Sequence, residues 1–170
     1  DDDATDDATD DATDSVDYSS ISVRPWLRAT LTEVLRLHPS VPTDFKMALA
    51  DDVLPDGTRV KAGQRVMFVP WSMGRQESIW PDPLRFDPSR YIDAASGKFV
   101  FPSASKHPAF LAGPRTCLGK DVAYLGAGLL LTLLLDRFDF ELCEPDVEPI
   151  YDTGLTLWVL GGLKVLLKAR

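Results

Sequence analysis

The most informative part of this 170-residue sequence is one ten-residue stretch, Phe110-Leu111-Ala112-Gly113-Pro114-Arg115-Thr116-Cys117-Leu118-Gly119. Cys117 lies just ahead of an apolar run with helical spacing. Taken alone, a single cysteine is most often a small, inert core residue. Here a glycine lies on each side of it, at positions 113 and 119, and a missing Cβ lets backbone approach something large and flat.

The residues around Cys117 offer complementary chemistry. A helix that begins directly after the cysteine points its amide dipoles at the sulfur and favours the thiolate. Arg115 offers a cation for an anion on the same ligand, and Phe110 offers an apolar face. A thiolate, a cation and close backbone around a flat group together indicate a haem held by a cysteine.

The spacing Phe-x-x-Gly-x-Arg-x-Cys-x-Gly resembles the haem-binding loop of the cytochrome P-450 superfamily, the haem-thiolate monooxygenases, at every fixed position. Two upstream segments resemble the same family in the expected order. Glu33-Val34-Leu35-Arg36 is similar to its Glu-x-x-Arg helix, and residues 86–91 are similar to the segment whose arginine joins that pair. The resemblance covers residues 23–170.

The resemblance implies a role for each residue of the loop. Cys117 is expected to be the metal ligand, the axial thiolate of a heme b iron, which favours O–O cleavage. Arg115 is expected on a haem propionate and Phe110 against the porphyrin. Gly113 and Gly119 are expected to complete the cofactor-binding set. None of these residues is predicted to be catalytic.

Glu33, Arg36 and Arg90 are expected, by the same resemblance, to form a structural lock between a helix and the segment that follows. Arginine binds carboxylate in bidentate fashion, which suits such a lock. The alternative is an exposed pair three residues apart on a helix, worth only about 0.2–0.5 kcal/mol.

Two further residues, His107 and Cys143, carry side chains of metal-binding type. His107 is interpreted as a loop histidine near a haem propionate, since Pro108 restricts it as an axial ligand. Cys143 is expected to be an ordinary free thiol, because it lies outside every motif. Two cysteines are too few for a disulfide scaffold or a multi-cysteine metal cluster.

Periodicity predicts two helices and several strands. The first helix runs from Pro25 to His38, with Leu27, Leu31, Val34 and Leu35 on its apolar face. A strand–turn–strand unit over 45–71 turns at Asp56-Gly57, and a proline-rich meander fills 72–110.

A second helix over 119–135 is apolar on nearly all sides, which predicts burial, and its first face is Val122, Leu125, Leu129 and Leu133. Three closing strands are predicted, the last two joined across Gly161-Gly162. By resemblance the fold class is mainly α with small β-sheets, the C-terminal part of the cytochrome P-450 fold.

Charge divides the chain into two parts. Residues 1–17 hold nine Asp and no Lys or Arg, whereas the rest holds 17 acidic and 18 basic residues. We expect the Asp-Asp-Ala-Thr repeat, within residues 1–22, to be disordered and residues 23–170 to form a C-terminal portion of a cytochrome P-450 domain. An acidic end and a nearly neutral remainder argue against a nucleic-acid partner.

Three further stretches, residues 39–42, 51–57 and 72–80, resemble the plant and algal fatty-acid omega-hydroxylase group. This implies insertion of one oxygen atom from O2 into a C–H bond of a lipophilic substrate, a fatty acid, with electrons from an NADPH-dependent reductase. By the same resemblance, the substrate is bordered by Val41, Pro42, Thr43, Gly154 and Leu155. The alternative is that these five are ordinary turn and core positions.

The longest mostly apolar stretch, Leu125–Leu135, is shorter than the roughly 20 residues that span a bilayer, so no transmembrane segment is predicted. The resemblance implies endoplasmic reticulum membrane attachment for a full-length protein. Ahead of residue 23 nothing resembles the family's oxygen-activating helix with its acid–Thr pair. The alternative function is therefore a truncated, non-catalytic haem-binding remnant, and a third is an acidic-tail interaction protein. For the isolated chain we expect poor haem binding and no hydroxylation.

Overall fold

The structure is a computed structural model and describes residues 24–170. The Asp-Asp-Ala-Thr repeat, and with it the predicted disorder of residues 1–22, lies outside the described residues.

The first helix, α1 (Pro25–Leu37), has the predicted bounds but buries a different face. Proline is tolerated at its start because its missing N–H has no partner in a first helical turn. The predicted apolar positions are half-buried or exposed. The residues that α1 buries are instead Ala29, Thr32, Glu33, Arg36 and Leu37. The polar members of this set bind neighbouring segments, and these long-range hydrogen bonds determine which face turns inward.

Two nested antiparallel pairs follow, which confirms the predicted strand–turn–strand unit. Strand β1 (Asp44–Met47) pairs with β4 (Arg65–Phe68), and between them β2 (Asp52–Val53) pairs with β3 (Arg59–Val60). The turn between β2 and β3 places Gly57 at φ +87°, a left-handed conformation that glycine adopts without strain.

The segment between β4 and the second long helix is an ordered meander, as predicted. A short helix, α2 (Pro70–Met73), opens it, and 3-10 turns follow at Pro88–Tyr91, Pro108–Phe110 and Gly113–Arg115. The meander supplies Trp80 and Tyr91, which pack with Ala29 of α1 in the apolar core.

The second long helix, α3 (Lys120–Arg137), begins one residue after the predicted start. Among the described residues it buries the stripe Tyr124, Gly128 and Thr132, spaced by four. The predicted first face is not buried here, and Val122 is 71% exposed. Because α3 is apolar on nearly all sides, its sequence favours no particular face for burial. The hydrogen bond between the Tyr124 hydroxyl and α1 determines its orientation.

The closing strands correct two predictions, the first of which is their number, since four are present where three were expected. Strand β5 (Phe138–Leu142) pairs with β8 (Val165–Ala169), and β6 (Tyr151–Thr153) pairs with β7 (Leu157–Val159). The predicted hairpin across Gly161-Gly162 is therefore wrong. Both glycines have positive φ and turn the chain, but β7 already pairs with β6. Two ion pairs between these strands, Lys168 with Glu141 and Arg170 with Asp139, both at 2.7 Å, favour the β5–β8 register.

Candidate cofactor site

Cys117 is an exposed thiol on the loop that leads into α3. Its backbone N–H donates to the Phe110 carbonyl at 2.9 Å, and its carbonyl accepts from the Lys120 N–H at 3.4 Å. A Cβ placed on Gly119 would lie 3.8 Å from the Cys117 Sγ. The loop therefore presents the sulfur at the start of α3, with backbone close beside it.

Two left-handed residues shape this loop. Gly113 has φ +63°, and a Cβ there would meet nothing within 4 Å, so glycine is needed for its backbone angle rather than for close approach. Leu111 has φ +62° and ψ −170°, a region almost reserved for glycine. Such a conformation costs about 1–3 kcal/mol and persists only where the surroundings impose it.

Arg115 is exposed on the 3-10 turn Gly113–Arg115. It lines a cleft of about 260 Å³ together with Lys46, Phe68, Met73 and Leu111. The Lys46 ammonium is already paired with the Asp44 carboxylate at 2.6 Å. Arg115, on an otherwise largely apolar wall, suits an anionic group attached to an apolar body. Cys117 is outside this cleft lining.

Phe110 is half-buried, and its ring centroid lies 5.6 Å from that of Tyr124 on α3. The same residue accepts the Cys117 amide through its carbonyl. Phe110 therefore connects the cysteine loop to the first turns of α3.

Glu33 is fully buried and accepts four hydrogen bonds. Arg36 donates through Nε to Oε2 and through Nη2 to Oε1, both at 2.7 Å. The Tyr91 hydroxyl donates to Oε2 at 2.9 Å, and the Asp87 N–H donates to Oε1 at 2.8 Å. One carboxylate thus joins α1 to two points of the meander.

Arg36 uses all five of its N–H donors. Besides the two bonds to Glu33, its Nη1 donates to the carbonyls of Gly74 and Pro83, the latter at 2.6 Å. Its Nη2 also donates to the Arg85 carbonyl at 3.0 Å. The guanidinium therefore satisfies three carbonyls of an irregular segment as well as the carboxylate.

Arg90 approaches the same carboxylate with weaker geometry. Its Nε lies 3.4 Å from Glu33 Oε1, yet this N–H forms no hydrogen bond with any residue of the described range 24–170. Its Nη2 donates to the Asp82 carbonyl at 2.9 Å. Arg90 contributes charge to the cluster and a backbone contact within the meander.

The cluster keeps Glu33 ionised. Burial by itself raises the pKa of a carboxyl, but here the hydrogen bonds from Arg36 and the Asp87 amide, with the charge of Arg36, hold the pKa of Glu33 below its ordinary value. Burial, with the charge and hydrogen bond of Glu33, raises the pKa of Tyr91, so its hydroxyl stays a donor.

His107 lies on a loop, as interpreted from the sequence, and its ring is buried. It caps the 3-10 turn Pro108–Phe110, but its ring lies within 6.4 Å of the rings of Trp80, Tyr91 and Phe101. Its Nε2 lies 2.9 Å from the Thr32 carbonyl oxygen.

Sequence reasoning also missed Thr32 and Tyr124. The Thr32 Oγ1 lies 2.8 Å from the Tyr124 hydroxyl, and both groups are buried. The spacing of apolar residues carries no signal for a hydrogen bond between two helices 92 positions apart.

The predicted substrate-bordering residues lie on two adjoining segments. Pro42 is buried, Val41 is half-buried and Thr43 is exposed, whereas Gly154 and Leu155 are exposed between β6 and β7. The Leu157 N–H, at the start of β7, donates to the Ser40 carbonyl at 2.7 Å, which holds the two segments together.

Cys143 is an exposed free thiol just after β5. Among residues 24–170, no helix combines the length and the apolarity that crossing a bilayer requires.

Comparison with known proteins agrees with this architecture. A family model described as Cytochrome P-450 matches residues 5–167. The solved heme domain of a cytochrome P-450DA mutant matches with a TM-score of 0.77 and 23% identity, over 90% of this chain and 32% of that chain. Helices with small two-stranded sheets therefore form part of the cytochrome P-450 fold, which confirms the predicted fold class.

Curated plant relatives extend the match to sequence. Cytochrome P-450 94B3 and cytochrome P-450 704B1, both of Arabidopsis thaliana, are 39% and 43% identical over 90% and 91% of this chain. A cytochrome P-450 of Helianthus annuus is 40% identical over 85% of this chain and 92% of its own length. The chain belongs to the cytochrome P-450 family. It spans 31% and 29% of the length of the two Arabidopsis relatives.

Proposed function

We propose that this chain is the cysteine-bearing part of a haem-thiolate monooxygenase and that Cys117 is the axial ligand of heme b. The observation that carries the proposal is the exposed Cys117 thiol, held at the start of α3 within the loop motif of the family. Thiolate sulfur is the form of cysteine that binds a metal.

The residues present fit a haem. Leu118 follows Cys117 directly and Val122 lies in the first turn of α3, and both are exposed apolar side chains that a flat apolar ring would cover. Arg115 lines the cleft described above and is suited to a haem carboxylate. When bound through a thiolate, a haem supplies the O2-activating chemistry of this class.

The chain's own residues then have distinct roles in the proposal. Cys117, Arg115, Phe110, Gly113 and Gly119 form the cofactor-binding set. The buried hydrogen bonds of the Glu33 carboxylate support the proposed lock, which fixes α1 against the meander so that the loop keeps its geometry.

For the whole protein we propose insertion of one oxygen atom from O2 into a C–H bond of a fatty acid, as an omega-hydroxylation. Electrons come from an NADPH-dependent reductase at the endoplasmic reticulum membrane. The family membership and the similarity to plant relatives support this proposal. The exposed apolar Leu155, beside Gly154, together with Val41, Pro42 and Thr43, forms the proposed substrate border.

A pair of cysteine variants tests the ligand. The chain, its Cys117→Ser variant and its Cys143→Ser variant are each loaded with hemin, reduced and exposed to carbon monoxide. We expect the chain alone to bind haem poorly, so that its red-shifted band of thiolate-bound ferrous haem is small. We expect this band to persist in the Cys143→Ser variant and to be absent from Cys117→Ser. Both thiols are exposed, so Cys143 is a matched control. A band that survives Cys117→Ser contradicts the proposal.

Turnover of fatty acids tests the reaction. The haem-loaded protein is incubated with a reductase, NADPH and fatty acids of graded chain length, and products are identified by mass spectrometry. Terminal hydroxylation supports the monooxygenase. A thiolate band without any oxygenated product supports the alternative, a non-catalytic haem-binding remnant.

A further inference from the structure

The cysteine loop is the segment of residues 110–119. The residues that flank it on either side contact the same residue of α1. His107, ten positions before Cys117, contacts the Thr32 carbonyl through Nε2 at 2.9 Å. Tyr124, seven positions after Cys117, contacts the Thr32 hydroxyl through its own hydroxyl at 2.8 Å. We propose that Thr32 is a positioning residue that holds both flanks of the cysteine loop at once.

The number of protons on each group determines which atom donates in each of these hydrogen bonds. The Thr32 hydroxyl has one proton and donates it to the Arg28 carbonyl at 2.7 Å. The Tyr124 hydroxyl must therefore donate to Thr32 Oγ1. A carbonyl only accepts, so His107 carries its proton on Nε2 and donates to the Thr32 carbonyl oxygen. Thr32 is thus an acceptor toward both flanks of the loop.

Burial gives these two contacts their strength. Thr32 is fully buried, and His107 and Tyr124 are 3% and 8% exposed. Water cannot replace a lost partner in such a place, so each broken bond leaves a buried donor unpaired. The ring of Tyr124 also packs on Phe110, whose carbonyl accepts the Cys117 N–H. The path from Thr32 to the cysteine amide is therefore continuous.

The three partners lie outside the cofactor-binding set, so Thr32 acts through the loop and not on the cofactor. Its consequence for haem binding rests on the proposed ligand role of Cys117. Its consequence for the loop itself does not, because loop opening is measurable without haem.

Amide hydrogen exchange of the whole chain, read by mass spectrometry, tests the proposal. Thr32→Val keeps the shape of the side chain and removes the hydroxyl that accepts from Tyr124. The contact of His107 is with the main-chain carbonyl and survives this substitution. We therefore expect exchange of residues 110–124 to accelerate about tenfold, as loss of one buried hydrogen bond predicts for local opening. Strands β5 and β8 serve as the internal reference and keep their rates.

Two variants separate positioning from general packing. Thr32→Ser keeps the hydroxyl and is expected to restore slow exchange. Thr132→Val is the matched control, since this buried hydroxyl on α3 has no hydrogen-bond partner within the described part of the chain, and we expect no acceleration. The proposal is overturned if Thr32→Val exchanges no faster than Thr132→Val, or if Thr32→Ser exchanges as fast as Thr32→Val.

Where Thr32→Val loses its far-UV circular dichroism, Tyr124→Phe removes the same hydrogen bond from the other side, and unchanged exchange in that variant overturns the proposal. The carbon monoxide spectrum of the hemin-loaded chain keeps the two proposals apart. Absence of the thiolate band from the unsubstituted chain counts against Cys117 as ligand and leaves the exchange result intact. A thiolate band with unchanged exchange in Thr32→Val counts against the role of Thr32 alone.

Discussion

Replacing Glu33 with Gln keeps the side-chain shape and removes the charge that faces two guanidiniums. The carboxylate accepts four hydrogen bonds, two at each oxygen. A Gln side chain keeps one oxygen acceptor, but its NH2 group replaces the other oxygen and faces the two N–H or O–H donors that this oxygen had accepted. The Arg36 side chain, 1% exposed, then has no buried counter-charge in direct contact. Breaking a buried pair in this way costs about 3–5 kcal/mol, a large share of the roughly 5–15 kcal/mol that stabilises a domain.

Urea unfolding followed by circular dichroism measures this loss, with Glu141→Gln as the control. Glu141 and Lys168 also meet at 2.7 Å, but both side chains are more than half exposed. A solvent-exposed pair is worth about 0–1 kcal/mol. If Glu33→Gln loses no more free energy of unfolding than Glu141→Gln, the reasoning about burial is wrong.

Acid titration gives a second readout of the same carboxylate. The folded-state pKa of Glu33 lies below its ordinary value of 4.5. Its contribution is therefore fully present above pH 4.5 and is lost as the pH falls through the folded pKa. We expect the free energy of unfolding of the Glu33→Gln variant to fall less steeply with acid than that of the unsubstituted chain. Parallel slopes would contradict a depressed pKa.

Three further predictions concern other positions. A Cβ at Gly74 would clash with the Arg36 carbonyl oxygen, so Gly74→Ala should lower the free energy of unfolding in urea by about 1–3 kcal/mol. At Gly126 a Cβ meets nothing within 4 Å, so Gly126→Ala should raise it by up to about 1 kcal/mol. Burial holds the pKa of His107 below 6.5 despite its hydrogen bond to a backbone carbonyl. The free energy of unfolding should therefore decline as the pH falls below 6.5, and it should decline less in His107→Gln. Arg115→Gln should weaken hemin binding about tenfold, as expected for one charge-assisted hydrogen bond; unchanged affinity in a hemin titration would count against a propionate contact.

The sequence predicted the elements whose signals are local. Pro25 and His38-Pro39 bound the first helix, Asp56-Gly57 marks the turn between β2 and β3, and Gly119 precedes α3. Each signal acts within a few residues, through backbone angles or a missing N–H.

The missed features depend on contacts between distant segments. The buried face of α1 follows from the carbonyls and hydroxyls that surround Glu33 and Arg36, and periodicity does not report them. The partner of β8 is β5, more than 20 residues upstream. The sequence at Gly161-Gly162 does not indicate whether β8 pairs with β5 or with β7. The burial of His107 was missed for the same reason, because it depends on three aromatic rings from other parts of the meander.

The Glu33–Arg36 pair raises the question of why a charge is buried here at all. Well-packed apolar residues can often replace a buried ion pair with little loss of stability. That substitution is costly in this chain, because Arg36 also donates to the carbonyls of Gly74, Pro83 and Arg85. These carbonyls belong to a meander with few regular hydrogen bonds, and without Arg36 each would lose a donor in a partly or fully buried place. The guanidinium is therefore needed chiefly as a donor for irregular backbone, and Glu33 is the counter-charge that allows it to be buried.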